Sequence, residues 1–179
     1  MKSSISQRMK ARLFTSTSKA LILTAALYAS AAAATEWTFA TDGDYQGWTF
    51  NQELSGSVVK EGALTGVTSG KDPFFAKPSL SVSASDVSSA TVRMKVQSAD
   101  GQPIKDPGKA QLFWTTTTEP DCIEEASVPI EIVGDGEWHD YTINVAGNGN
   151  WQGTVTMLRL DPCSRIDVQV SVASVQLNK

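Results

Sequence analysis

The chain has 179 residues, with 15 lysines and arginines against 19 aspartates and glutamates and a net charge of −4. Five of the basic residues and none of the acidic ones precede Thr35, so residues 35–179 carry a net charge of −9. That balance argues against nucleic acid or anionic membranes as partners, since both need a basic face, and it favours a neutral or cationic partner.

The first 34 residues read as an export signal. Lys2, Arg8, Lys10, Arg12 and Lys19 form a basic leader, "ALILTAALYAS" a short apolar run, and "AAAA" a small-residue cleavage site. A bilayer span needs about 20 apolar residues, more than this run supplies. Cleavage is expected after Ala34, which leaves residues 35–179 as one domain in the medium or the periplasm.

That domain reads as strands in chain order. "WTFATDGDYQGWTF" opens it with a short strand and an acidic turn. "VVKEGALTGVTSGKDPFF" follows with two strands around a glycine turn. In "ATVRMKV", Ala90, Val92, Met94 and Val96 share one face, and Thr91, Arg93 and Lys95 the other. "KAQLFWTTTT" is rich in the aromatic and β-branched residues that suit strands. "SVPIEIV", "WHDYTINV", "GTVTMLRL" and "RIDVQVSVASVQL" complete the set, separated by "GDGE" and "GNGN" turns. The last of these changes phase, from Ile166, Val168, Val170 and Val172 to Val175 and Leu177. A bulge is expected at Ala173 and Ser174, with the strand serving both sheets. Short strands between Gly, Asp and Asn turns predict an all-β sandwich.

Two cysteines, Cys122 and Cys163, both lie in the exported part, where an even count favours a disulfide. Closing that loop would stabilise the fold by about 3–4 kcal/mol on chain-entropy grounds.

The order of these motifs resembles that of jelly-roll carbohydrate-binding modules of the galactose-binding-like superfamily, over Glu36 to Leu177. The resemblance implies an all-β jelly-roll β-sandwich of two antiparallel sheets. It also implies non-catalytic binding of a polysaccharide or glycan, often alongside a secreted enzyme or envelope protein. Modules of this kind often carry one structural calcium between their first and last strands. Calcium takes oxygen ligands, so Asp42, Asp44 and Asp167 are the expected donors here. The same fold hosts domains without sugar affinity, so a secreted structural or protein-interaction domain is the second reading.

An indole covers the C–H face of a sugar, and amides, carboxylates or guanidinium groups then fix its hydroxyls. Trp37 and Trp48 belong to the opening strands and are expected in the core. Trp151 follows a loop and Trp114 lies on a central strand, and both are expected as stacking platforms. Phe74 and Phe75 are adjacent, so on a strand both cannot point inward, and Phe74 is expected at the rim. Arg93, Arg159, Asn148 and Asn150 are the expected polar contacts. Arg159 interrupts an apolar strand and asks for a partner, which could be an internal acid such as Asp161 or Asp140. The single histidine, His139, begins a strand with Tyr141, Ile143 and Val145 on its face, which places it at the core edge. No nucleophile signature accompanies it, and no two acids can be paired from sequence. A small polysaccharide lyase or glycosidase is therefore the third reading.

Overall fold

The computed structural model describes residues 35–179; the expected export signal, 1–34, lies outside the described residues. Twelve strands follow in chain order: β1 (Thr35–Thr38), β2 (Phe50–Gln52), β3 (Leu54–Lys60), β4 (Ala63–Thr68), β5 (Phe74–Lys77), β6 (Val82–Ser83), β7 (Ser89–Ser98), β8 (Ala110–Thr116), β9 (Ser127–Ile130), β10 (His139–Asn144), β11 (Thr154–Asp161) and β12 (Val168–Asn178). One short 3-10 turn, Ala84–Asp86, lies between β6 and β7.

The strands form two antiparallel sheets. The first runs β10-β7-β12-β4-β3, with β1 also pairing β12; the second runs β2-β5-β11-β8-β9, with β6 also pairing β11. From β7 onward the chain crosses repeatedly between the sheets, with only β8 and β9 consecutive and paired in one layer. This is the expected jelly-roll sandwich. Its core is the interdigitated inner faces, as alternation requires.

Along β7, Ala90, Val92, Met94 and Val96 are wholly buried, while Arg93 is exposed. On β8 the inward residues are Leu112 and Trp114, which leaves Gln111, Phe113 and Thr115 on the outer face. Trp37, Phe39 and Trp48 pack edge to face at one end of the core, with Trp37 and Trp48 centroids 5.8 Å apart. Both tryptophans of the opening strands are therefore packing residues, as expected.

Of three register shifts in the sheets, the two on β12 and β11 set which side chains face out. On β12 the register shifts between Val172 and Ser174, where the phase change predicts it. The strand does not leave its sheet, however. Its edge is paired by β4 up to Val172 and by β1 from Ser174 onward, so the bulge marks a change of neighbour within one sheet. On β11 the register shifts between Val155 and Met157. Val155, Leu158 and Leu160 all point inward despite their unequal spacing, and Met157, Arg159 and Asp161 turn outward.

The expected disulfide is absent. Cys122 is exposed in the loop before β9, and Cys163 is buried after β11; both are free thiols. Cys163 Sγ donates to the Pro107 carbonyl at 2.7 Å and accepts from the Arg165 N–H at 3.3 Å, so it is held inward as a small polar core group.

Candidate functional site

The outer face of the second sheet collects the polar and aromatic residues that its inner face cannot use. In register, Arg159 of β11 lies between Ala76 of β5 and Phe113 of β8, and Asp161 lies opposite Gln111. Phe75 is buried in the core, so its neighbour Phe74 points to this outer face. The Arg159 guanidinium sits over both rings, 4.1 Å from the Phe74 centroid and 5.2 Å from that of Phe113. Arginine is suited to this because its flat cation stacks on an aromatic face and still offers its N–H groups in plane.

Those N–H groups are aimed by acids. Nε and Nη2 each donate to one Asp161 oxygen at 2.7 Å, a bidentate pair. Nη2 also donates to the Asp72 carboxylate. Asp72 is held in turn, since its N–H donates to Glu53 Oε2 at 2.7 Å and its Oδ2 accepts from Gln52 Nε2 at 3.1 Å. On the other side, Gln111 Nε2 donates to Glu124 Oε1 at 2.6 Å and to the Ser127 hydroxyl at 2.8 Å. The result is a preset row across β5, β11 and β8.

The side chains of Arg159 and Asp161 are each only 18% exposed, so their surroundings govern their charge. Burial works against the Arg159 cation, but hydrogen bonds and charges from Asp161 and Asp72 outweigh it and hold its pKa above the ordinary value. Burial pushes the Asp161 pKa up; Arg159 opposes this, while Asp72 and Glu124 add to it. Arg159 is therefore a permanent cation in an acid-rich pocket.

Two depressions flank it. One, about 240 Å³, is lined by Phe74, Ala76, Pro78, Cys122, Met157 and Arg159. The other, about 250 Å³, includes Lys109, Gln111, Phe113, Glu124 and Asp161. An apolar trough beside a hydrogen-bonding trough, with a stacked cation between them, suits a ligand that has both C–H faces and hydroxyls.

Of the expected ligand residues, only Phe74 and Arg159 meet at this place. Trp114 and Trp151 are not platforms: they are 0% and 5% exposed and pack against each other at 5.0 Å, nearly perpendicular. Their indole N–H groups donate inward, Trp114 to the Asn150 carbonyl at 3.2 Å and Trp151 to the Ala84 carbonyl at 3.0 Å. Asn148 and Asn150 are loop fasteners: both amides donate to the Glu125 carbonyl at 3.0 Å, and Asn148 also reaches Ser127. Arg93 lies on the opposite sheet, paired with Asp140 at 2.9 Å. His139 Nε2–H donates to the Asp135 carboxylate at 2.9 Å on the rim of β10.

The expected calcium ligands do not converge either. Asp42 accepts from the Glu61 N–H at 2.9 Å and Asp44 from the Gln46 N–H at 3.0 Å, so both serve turns. Asp167 has a positive φ of 60° and joins Thr68 and Ala99 through its backbone, a turn role that Asp tolerates. Among the described residues, no three His, Cys, Asp or Glu side chains are grouped to hold a metal.

Phe113, Asp72, Gln111 and Met157 were not anticipated as site residues. The signal for Phe113 was parity: once Leu112 and Trp114 enter the core, Phe113 must face out. Asp72 carries no such signal, because its reach to Arg159 depends on which strands are neighbours.

No protein-family model matches this chain, and no curated protein matches it. Solved structures do resemble it. A variant of a carbohydrate binding module of family 29 superposes with a TM-score of 0.54 at 13% identity, over 80% of this chain and 92% of that one. Another family 29 variant, complexed with cellulohexaose, gives 0.54 at 12% identity, over 80% and 90%. A third, complexed with mannohexaose, gives 0.54 at 12%, over 80% and 92%. At these identities the likeness establishes the fold.

Proposed function

We propose that the outer face of the second sheet binds a neutral hexose polysaccharide without cleaving it. The observation that carries this reading is Arg159, held over Phe74 and Phe113 by Asp161 and Asp72. Phe74, Ala76 and Met157 offer an apolar surface to the C–H face of a pyranose ring. Arg159 donates to ring or hydroxyl oxygens, and the outer lone pairs of Asp161, Asp72 and Glu124 accept from hydroxyls. Because the polar groups already hold each other, little side-chain ordering remains to be done on binding.

Catalysis has less support. Glycoside cleavage needs one carboxyl free to donate a proton and a second free to attack or activate water. Asp161 is held at both oxygens by Arg159, and Glu124 is held by Gln111. The complexes of the family 29 modules with cellulohexaose and mannohexaose support a binding role on this fold. The basic and apolar leader before Thr35 supports export, so the ligand would be met outside the cytoplasm.

Affinity gel electrophoresis in soluble glucan and glucomannan tests the reading. Wild type is expected to be retarded, and Arg159→Ala and Phe74→Ala each to lose about tenfold or more in affinity. Both variants should keep the wild-type circular dichroism spectrum. Unchanged retardation in both variants rejects this site, and release of new reducing ends rejects the non-catalytic reading.

A further inference from the structure

The first sheet has an outer face of its own, and it holds the most exposed tryptophan. Trp138 immediately precedes β10 and is 36% exposed, whereas Trp37, Trp48, Trp114 and Trp151 are all buried. The turn before it is set by Gly136, at φ 81°, whose N–H donates to the Val96 carbonyl at 3.0 Å. That bond fixes the chain against β7 and delivers the indole beside Lys95. Lys95 Nζ lies 5.4 Å from the Trp138 ring centroid and Arg93 Cζ lies 5.9 Å from it.

From Trp138 a row of side chains crosses the sheet. Lys95 is opposite Ser171, Ser171 opposite Thr65, and Thr65 opposite Val58. The row spans five strands, β10 to β3, or about 19 Å at the usual strand spacing. It floors a groove of about 320 Å³ that Lys60, Glu61 and Gln169 also line. Lys60 pairs with Glu61 at 3.5 Å and Arg93 with Asp140 at 2.9 Å, whereas Lys95 makes no ion pair among the described residues.

We infer that this groove is a second carbohydrate site, one that takes an acidic polysaccharide bearing uronic acid residues. A flat indole at one end suits a pyranose face. The Gln97–Gln169 amide pair at 2.9 Å offers hydrogen bonds along the row, and the Thr65 hydroxyl, which donates to the Val170 carbonyl at 2.8 Å and lies 3.2 Å from that of buried Ser171, keeps a lone pair to accept one. Lys95, with Lys60 beyond it, meets a carboxylate. A peptide would instead seek an open strand edge, because the backbone of the inner strands is already paired and the face offers only side chains. The net charge of −9 over residues 35–179 opposes an anionic partner at long range. In physiological salt that field is screened within about 8 Å, so contact pairs at Lys95 and Lys60 decide binding. This site does not depend on the second-sheet site, and each face is read by its own variant.

The test is titration of residues 35–179 with polygalacturonate, and separately with polyaspartate. Wild type should bind polygalacturonate and release it in about 0.5 M sodium chloride. Trp138→Ala and Lys95→Glu should each weaken binding about tenfold or more. Both positions are at the surface, and thermal melting checks that each variant folds. Arg159→Ala, which disables the other face, should bind polygalacturonate as wild type does. The proposal is overturned by no binding to polygalacturonate, by wild-type affinity in both first-sheet variants, or by loss in Arg159→Ala alone. Binding to polyaspartate that matches or exceeds polygalacturonate and is lost in Trp138→Ala would give the face to an acidic peptide and equally overturn it.

Discussion

Arg159 shows how one residue acquires a role from its surroundings. On its own strand it is a charge among apolar residues, with only Asp161 two positions away on the same face. In the sheet it gains two aromatic rings and a second acid, and its plane is fixed. The two cysteines separate at the same scale. Cys122 is exposed at the edge of the apolar depression beside Arg159, although burial of its sulfur pushes its pKa up. Cys163 is buried, and burial raises its pKa as well. A maleimide should therefore label Cys122 in the folded protein and Cys163 only after unfolding, as mass spectrometry of the two peptides would record. Label at Cys122 should also block glucan retention, because it would fill the space beside Phe74. Equal labelling of both thiols in the native state would contradict the burial of Cys163. The indole of Trp151 makes the opposite point. Its aromatic character suggested a ligand platform, yet it closes the core against Trp114. Trp151→Ala should cost about 3–5 kcal/mol of stability in a denaturant titration, the range for large buried aromatics. A loss of glycan affinity without loss of stability would reverse that assignment.

At the scale of elements, the bulges decide what each face displays. Without the shift between Val155 and Met157, β11 could not bury Val155 together with Leu158 and Leu160. Strict alternation would either expose Val155 or, with Val155 kept inward, bury Arg159 and Asp161, where an ion pair is costly. The bulge on β12 does a different job, since it lets one strand take β4 and then β1 as its neighbour. That hand-over joins the chain's opening segment to its last strand with backbone bonds alone. Of the acids expected to hold calcium there, Asp42 and Asp44 each accept from a turn N–H, and Asp167 enters its turn through its backbone. Melting curves in millimolar calcium and in excess chelator should superimpose. A rise in Tm with calcium would show that carboxylates outside these turns assemble on the ion.

At the scale of the whole molecule, two sheets back to back give two outer faces of different chemistry. One has a cation stacked on phenylalanines among acids. The other has an indole among lysines and hydroxyls. The sequence by itself determined the class of fold, because strand alternation and turn residues are local: β7, β8, β10 and β11 lie within a residue or two of where alternation puts them. It also pointed to packing for Trp37 and Trp48, to only one of Phe74 and Phe75 facing the core, and to a bulge on β12 at Ala173 and Ser174. The tertiary structure alone decided which strands are neighbours, and hence everything that rests on proximity between distant residues. Asp72 reaches Arg159 across 87 positions, Trp114 meets Trp151 inside the core, and Cys122 and Cys163 remain apart. A period of two tells which residues share a face. It does not tell which of two faces is buried or what lies across the next hydrogen-bonded edge, because those are set by how the sheets pack.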